Sequence, residues 1–129
     1  QALAGDALNK ELGNLIDIRA SQLNGCAYCL AMHGTESRKA GVDQRRLDVL
    51  SAWHEAPYLY SERERAALAL TEEVTLIESG VSDETWHDVR AAFSEEETAQ
   101  LIMAIGAINV WNRMAISTHM RLPGAEKEQ

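Results

Sequence analysis

Residues 25–34, GCAYCLAMHG, contain both cysteines of the 129-residue chain and a histidine four residues after the second cysteine. On an α-helix Cys26, Cys29 and His33 occupy positions i, i+3 and i+7 and therefore share one face. A cysteine reacts as its thiolate. Because the first turn of a helix favours negative charge, a helix that begins near Cys26 predicts a lowered thiol pKa. A second thiol within reach can close a disulfide on a sulfenic acid of the first, so this pattern indicates redox chemistry.

Two other interpretations of this segment stay open. Both cysteines could be inert core residues, because cysteine is often buried. A zinc site needs about four ligands and the segment offers three, so a fourth would have to come from His54, His87, His119 or a partner chain. A thioredoxin-like site is disfavoured, because it requires a strand–helix–strand context and the sequence shows no strand pattern.

Helical periodicity and helix-start signals predict an all-α fold of about six helices, organised as a single domain over residues 1–129. Ser61 with Glu64 and Ser94 with Glu97 match the capping box that opens a helix. A loop is expected at residues 54–60, where Pro57 disfavours helix in the residue before it. The predicted helices cover residues 3–19, 26–39, 43–53, 61–78, 82–93 and 94–114 or beyond.

The sixth predicted helix carries apolar residues on more than one face, from Leu101 through Trp111. Such a helix is either central in the core or buried between subunits, so a subunit interface is expected here. Trp53, Trp86 and Trp111 are expected to anchor the core or an interface. Asn109 and Asn112 need hydrogen-bond partners if they are buried, and are expected to cap or bridge an interface.

The net charge of −8 argues against nucleic acid and anionic membrane surfaces as partners. The longest apolar stretch, residues 101–110, is too short to span a bilayer, and no signal-peptide pattern is found. Two cysteines without a secretory signal do not indicate a disulfide scaffold, so we expect a cytoplasmic protein in which a C-x-x-C pair is catalytic or binds metal.

The segment IRASQLNGCAYCLAMHG closely resembles the signature of the AhpD-like, carboxymuconolactone decarboxylase superfamily, in its alkylhydroperoxidase branch. The resemblance continues in RLDVLSAWHEAPYLYSERERAALALTEEVT and IMAIGAINVWNRMAI, and covers the chain from about Leu12 to Ile116. It implies an all-helical AhpD-like fold, usually assembled as a homo-oligomer such as a trimer or hexamer.

For function, the resemblance implies a thiol peroxidase that reduces organic hydroperoxides. Cys29 would be the nucleophile that attacks the peroxide, Cys26 would resolve the disulfide, and His33 would take part in the proton relay. No cofactor or metal is implied, and an external dithiol or a redox protein would supply electrons. The alternatives are a redox-sensing or disulfide-exchange oligomer, or another chemistry on the same scaffold. The decarboxylase that names the superfamily generally lacks the cysteine pair, so that activity is disfavoured.

Two positions depart from the peroxidase pattern. The family relay often has a glutamate twelve residues before the first motif cysteine, and this chain has Asn14 there. Asparagine forms hydrogen bonds but carries no proton at a useful pH, so activation of the thiol is expected to be weaker unless Glu11 or Asp17 takes over. Tyr28 stands beside Cys29 where the better-studied peroxidase has a histidine, which removes another proton carrier from the relay.

Overall fold

The computed structural model describes residues 8–125, and within that range the chain forms α-helices and short 3₁₀ helices but no strand. The all-α prediction is confirmed, and six α-helices are found. They are α1 (Lys10–Asn24), α2 (Ala27–Lys39), α3 (Gln44–Asp48), α4 (Glu62–Thr75), α5 (Asp83–Ala92) and α6 (Glu95–Ser117). The 3₁₀ helices are Leu50–Glu55, Pro57–Leu59 and Ile77–Ser79.

Both predicted capping boxes are present at the starts of α4 and α6. Ser61 Oγ accepts from the Glu64 backbone N–H at 3.1 Å, and the Glu64 side chain accepts from the Ser61 backbone N–H at 2.8 Å. Ser94 and Glu97 repeat this arrangement with the same two distances. Each box satisfies two backbone donors that a helix start would otherwise leave unpaired.

The first helix is displaced from its predicted range. It begins at Lys10, where the Asn9 side chain accepts from the Leu12 backbone N–H at 2.7 Å, and it continues to Asn24 rather than ending at Arg19. Gly25 ends the helix in the left-handed conformation at φ 72°, which glycine adopts without a steric penalty. The predicted residues 3–7 lie outside the described part of the chain.

The predictions for residues 43–60 and for the end of α4 were partly wrong. The third helix leaves α geometry after Asp48 and continues as a 3₁₀ helix in which Ala52 has non-helical angles, and this tighter path buries Leu50 and Trp53. The predicted loop holds a second 3₁₀ turn that begins with Pro57, a position where its missing N–H costs nothing. The fourth helix ends at Thr75, and residues 77–79 are 3₁₀.

Helix α1 lies at the centre of the molecule and contacts α2, α4 and α6. Its apolar side chains belong to two clusters, one shared with α4, α5 and α6 and the other with α4 and the 3₁₀ helix that contains Trp53. A third, smaller cluster joins Cys26 and Cys29 to Ala115 of α6. Among residues 8–125, no helix is long and apolar enough to cross a membrane.

Helix α6 has one buried and one exposed apolar face, as its sequence suggested. The buried face consists of Thr98, Leu101, Ala104, Ile105, Ile108, Asn112 and Ala115. The exposed side chains include Ile102, Met103, Val110, Trp111, Met114 and Ile116. Of the three tryptophans, Trp53 is buried as expected, whereas Trp86 and Trp111 are 41% and 58% exposed and do not anchor the core of this chain.

Candidate active site

The two cysteines lie at the start of α2, in the position that the sequence predicted. Cys26 is the residue that caps the helix, and its Sγ accepts from the Cys29 backbone N–H at 3.4 Å. The cap is unusual, because a side-chain oxygen normally fills this role. Both sulfurs are free thiols, and the two residues are only 1% and 2% exposed. The two thiols are therefore shielded from solvent, and one hydrogen bond links the two residues.

Helix α1 packs against α2 and places polar side chains beside the predicted site. Ser21 is fully buried and its Oγ donates to the Asp17 backbone carbonyl at 2.7 Å, and Asp17 Oδ2 lies 3.6 Å from His33 Nδ1. Asp17 and His33 are 4% and 5% exposed. The same His33 nitrogen lies 3.4 Å from Glu36 Oε1, which is more exposed. The structure thus brings Cys26, Cys29 and His33 to one buried face and adds a carboxylate to it.

The positions that depart from the family pattern are also resolved. Asn14 is buried, and its Nδ2 has no hydrogen-bond partner among residues 8–125. Glu11 is paired with Arg46 and is not directed at the site, so of the two candidate replacements only Asp17 reaches His33. Tyr28 is half-buried and packs against the small cluster formed by Cys26, Cys29 and Ala115.

The predicted lowering of the thiol pKa was wrong for Cys29 in this state of the protein. Burial, with a smaller contribution from the neighbouring Cys26 thiol, raises the pKa of Cys29 from its ordinary value of 9.0 to about 11. The neighbouring polar side chains of Asn112 and Ser21 act in the opposite direction but do not compensate. Both cysteines are almost completely buried, so the loss of hydration of the thiolate outweighs the stabilisation that the first turn of α2 gives to a negative charge.

Helix α6 contributes a residue to this site that the sequence analysis placed elsewhere. Asn112 is fully buried, its Nδ2 donates to Ser21 Oγ at 3.0 Å, and its Oδ1 accepts from Asn24 Nδ2 at 2.9 Å. Asn24 Nδ2 also donates to Asn109 Oδ1 at 2.8 Å. The signal was available in the spacing, because Asn112 continues the heptad-like row of Leu101, Ile105 and Ile108 on the buried face of α6.

The remaining histidines lie away from the thiols. His54 is exposed and its Nε2 is 3.0 Å from Glu72 Oε1, His87 is exposed, and His119 lies just beyond α6. Among the described residues, no group of three or more His, Cys, Asp or Glu side chains is arranged to hold a metal ion. A surface cavity of about 590 Å³ lies between α4 and α5, and the cysteines are not part of its lining.

Comparisons with known proteins agree with this architecture. Residues 1–73 match the model of the carboxymuconolactone decarboxylase family. The chain is 45% identical over 112 residues to the uncharacterized protein YdfG of Bacillus subtilis (strain 168), an alignment that covers 86% of this chain and 76% of YdfG.

Two solved structures are similar in fold. One is a protein of unknown function from Agrobacterium tumefaciens, provisionally designated the antioxidant defence protein AhpD. Its TM-score is 0.88 at 40% identity, over 94% of this chain and 83% of that one. The other is an uncharacterized peroxidase-related protein from Silicibacter sp. TM1040, with a TM-score of 0.80 at 24% identity, over 95% of this chain and 64% of that one. At this lower identity the likeness shows the fold alone.

Proposed function

The chain belongs to the carboxymuconolactone decarboxylase family, and we propose that it is a thiol-dependent peroxidase of the alkylhydroperoxidase type. The observation that carries this proposal is the buried thiol pair, in which the Cys29 backbone N–H donates to Cys26 Sγ at 3.4 Å. The provisional antioxidant designation of the Agrobacterium tumefaciens relative supports the same activity. Burial of both sulfurs favours a small hydroperoxide as substrate over a bulky protein disulfide.

The proposed reaction begins at Cys29. Its thiolate attacks one oxygen of the hydroperoxide, an S–O bond forms as the O–O bond breaks, and the departing alkoxide takes a proton to become an alcohol. Cys29 is thereby oxidised by two electrons to a sulfenic acid. Cys26 then attacks the Cys29 sulfur, a disulfide forms, and hydroxide leaves and is protonated to water. An external dithiol, free or on a redox protein, returns both cysteines to thiols by exchange.

The proton needed for the alcohol comes, in this proposal, from the His33–Asp17 pair. Asp17 supplies the carboxylate that Asn14 cannot, since its Oδ2 lies 3.6 Å from His33 Nδ1 and both side chains are buried. A carboxylate beside an imidazole fixes its orientation and stabilises its charged form. Glu36, at 3.4 Å from the same nitrogen and partly exposed, offers a route for protons to and from solvent.

The raised pKa of Cys29, about 11, makes the thiol the dominant form at neutral pH. Only a small fraction of the protein then carries the reactive thiolate, so turnover at neutral pH should be modest. Each unit of pH below this pKa lowers the thiolate fraction about tenfold. The reaction with hydroperoxide should accelerate steadily as the pH rises.

We also propose that the chain assembles as a homo-oligomer, such as a trimer or hexamer, and works in the cytoplasm. The exposed apolar side chains of α6, among them Val110, Trp111 and Met114, support an interface between copies. The cytoplasm supplies the dithiols that the cycle consumes. Light scattering of the purified protein tests the assembly, and a monomeric mass at micromolar concentration would contradict it.

The activity is tested by treating the reduced protein with cumene hydroperoxide and analysing each cysteine by mass spectrometry. The wild type should form an intrachain disulfide, Cys26→Ser should stop at a sulfenic acid on Cys29 that a dimedone trap captures, and Cys29→Ser should stay reduced. A sulfenic acid on Cys26 in Cys29→Ser, with none on Cys29 in Cys26→Ser, would reverse the assigned roles. Disulfide formation only with a disulfide donor and not with hydroperoxide would favour disulfide exchange.

A further inference from the structure

A cavity of about 430 Å³ opens on α2 beside the thiol pair, and the proposed reaction steps do not use it. Its volume is within the range of about 300–1,000 Å³ that is typical of small-molecule pockets. The lining residues are Ala31, Met32, Thr35, Glu36, Lys39 and Pro123. Glu36 and Lys39 carry opposite charges, and the other residues are mostly apolar. The cavity therefore suits a neutral organic molecule, because an ion would lose hydration there without a net counter-charge.

The carboxylate of Glu36 connects this cavity to the proposed proton relay. Glu36 Oε1 lies 3.4 Å from His33 Nδ1, and the same nitrogen lies 3.6 Å from Asp17 Oδ2. The Glu36 side chain is 47% exposed, whereas those of His33 and Asp17 are 7% and 6% exposed. Glu36 therefore belongs both to the wall of the cavity and to the polar group around His33. A hydroperoxy group in the cavity can donate its proton to this carboxylate.

The cavity also adjoins the row of α2 that leads to the reacting sulfur. Met32 and Glu36 are three and seven residues after Cys29, so the three side chains lie along one side of the helix. Cys29 is 2% exposed and Met32 is 39% exposed. Along this row, Met32 is the cavity residue next to the sulfur. A methionine side chain has three rotatable bonds, so it can move aside while the helix backbone stays in place.

One wall of the cavity comes from the segment that follows α6. His119 adopts φ 55°, and the Met120 backbone N–H donates to the Ala115 carbonyl at 2.9 Å, so the chain turns at the end of the helix. The segment then reaches Pro123, which lines the cavity. Ala115 belongs to the same small apolar cluster as both cysteines. The end of α6 thus contacts the thiol pair, and the residues after it contribute to the cavity.

We propose that this cavity binds the organic part of a neutral hydroperoxide, with its tail on Met32 and Pro123 and its O–OH group at Glu36. The hydroperoxy group donates to the Glu36 carboxylate, and movement of the Met32 side chain gives the O–O bond access to Cys29. Binding of the tail favours organic hydroperoxides over hydrogen peroxide, which has no tail to bury. The inference deepens the proposed peroxidase function and rests on it for the class of ligand.

Binding is tested first in a protein that cannot react. The probe is cumyl alcohol, which is cumene hydroperoxide less one oxygen atom, added to Cys26→Ser/Cys29→Ser. The NMR signal of the Met32 methyl group should shift saturably, whereas that of Met103, exposed on α6, should not. Adding Ala31→Phe, which places a ring in the cavity, should weaken the binding about 10-fold or more. A Met32 signal that stays unchanged up to the solubility limit of the alcohol would overturn the proposal.

Selectivity between two peroxides is the second readout. In Ala31→Phe the rate of Cys29 oxidation by cumene hydroperoxide should fall about 10-fold, and the rate with hydrogen peroxide should stay within about twofold. Ala91→Phe is the matched control, because it places the same ring in the cavity of about 590 Å³ between α4 and α5. The control should keep both rates. An unchanged ratio of the two rates in a folded Ala31→Phe protein would overturn the proposal.

Pro123→Gly replaces Ala31→Phe if that variant does not fold. It removes an apolar ring from a wall that lies outside the helices, and the ratio of the two rates should fall by about threefold. The two proposals fail separately. Saturable binding of cumyl alcohol at Met32 in a protein inert to hydroperoxides would reject the peroxidase but support the binding site. Rapid oxidation of Cys29 with no response of Met32 to the alcohol would reject the binding site alone.

Discussion

Helix α1 takes part in two partly buried polar clusters of opposite character. In the first, the Glu72 carboxylate accepts from Arg19 Nε and Trp53 Nε1, each at 2.9 Å, and His54 Nε2 lies 3.0 Å away. Burial alone would raise the pKa of Glu72, but the hydrogen bonds from His54, Trp53 and Arg19 together hold it below its ordinary value. We call this set the Glu72 cluster.

The second cluster consists of Cys29 and its neighbours, and there burial decides the direction of the pKa shift. The pKa of Cys29 is raised to about 11 by burial and by Cys26, and the neighbouring polar side chains of Asn112 and Ser21 only reduce the rise. The difference lies in the number and charge of the partners, because Glu72 has a cation and two ring N–H groups. A carboxylate so fully paired stabilises the fold, whereas the Cys29 thiol stays protonated until the pH is well above neutral.

Of the variants that distinguish the two clusters, Asp17→Asn should have the largest effect. Asp17→Asn keeps the side-chain size but removes the carboxylate beside His33, so the reaction of Cys29 with cumene hydroperoxide should slow about 100-fold, the usual effect of losing a positioned proton-transfer group. Stopped-flow loss of thiol measures this. Adding Asn14→Glu should restore part of the rate, because it returns a carboxylate one turn earlier on α1. An Asp17→Asn protein with the wild-type rate would remove Asp17 from the relay.

The Glu72 cluster should respond in stability rather than in reactivity. Glu72→Gln leaves Arg19, 13% exposed in its side chain, without its anionic partner, and the free energy of unfolding should fall by about 2 kcal/mol. Urea unfolding followed by circular dichroism measures the loss. The peroxide reaction of Cys29 should be unchanged in the folded variant. A large loss of thiol reactivity with little loss of stability would mean that the two clusters are not separate.

The pH dependence of stability should show the two clusters at opposite ends of the scale. The pKa of Cys29 lies above its ordinary value of 9.0, so the unfolded chain loses this proton first. Its contribution is complete below pH 9 and is lost as the pH rises towards 11. The pKa of Glu72 is lowered, so its contribution is present above about 4.5 and is lost as the pH falls through the folded value.

Melting curves across this pH range would test which residue causes each change in stability. We expect this effect to be smaller than the loss of rate in Asp17→Asn and the loss of stability in Glu72→Gln. Cys29→Ser should flatten the alkaline decline and leave the acid side unchanged, and Glu72→Gln should do the reverse. If stability still declines in full at alkaline pH in Cys29→Ser, burial does not raise the pKa of this thiol. Each variant serves as the control for the other.

The sequence predicted the helices more accurately than their ends, and the positions of the two cysteines and His33 more accurately than the pKa of Cys29. Local signals such as Ser61 with Glu64 act within four residues, so they could be found without the fold. The 3₁₀ path through Trp53 could not, because it depends on a hydrogen bond from Trp53 to Glu72 in α4. Likewise, the spacing of Cys26, Cys29 and His33 is local, whereas the pKa of Cys29 depends on how closely α1 and α6 cover it.

The central claim is that this buried thiol pair reduces hydroperoxides, and a single-turnover measurement tests it most directly. Fully reduced wild-type protein is mixed with cumene hydroperoxide in the absence of any reductant, and the cumyl alcohol formed is compared with the thiols lost. The account predicts one alcohol per chain, loss of both thiols and an intrachain disulfide between Cys26 and Cys29. Thiols that persist under excess hydroperoxide at alkaline pH, or that disappear without an equivalent of alcohol, would contradict it.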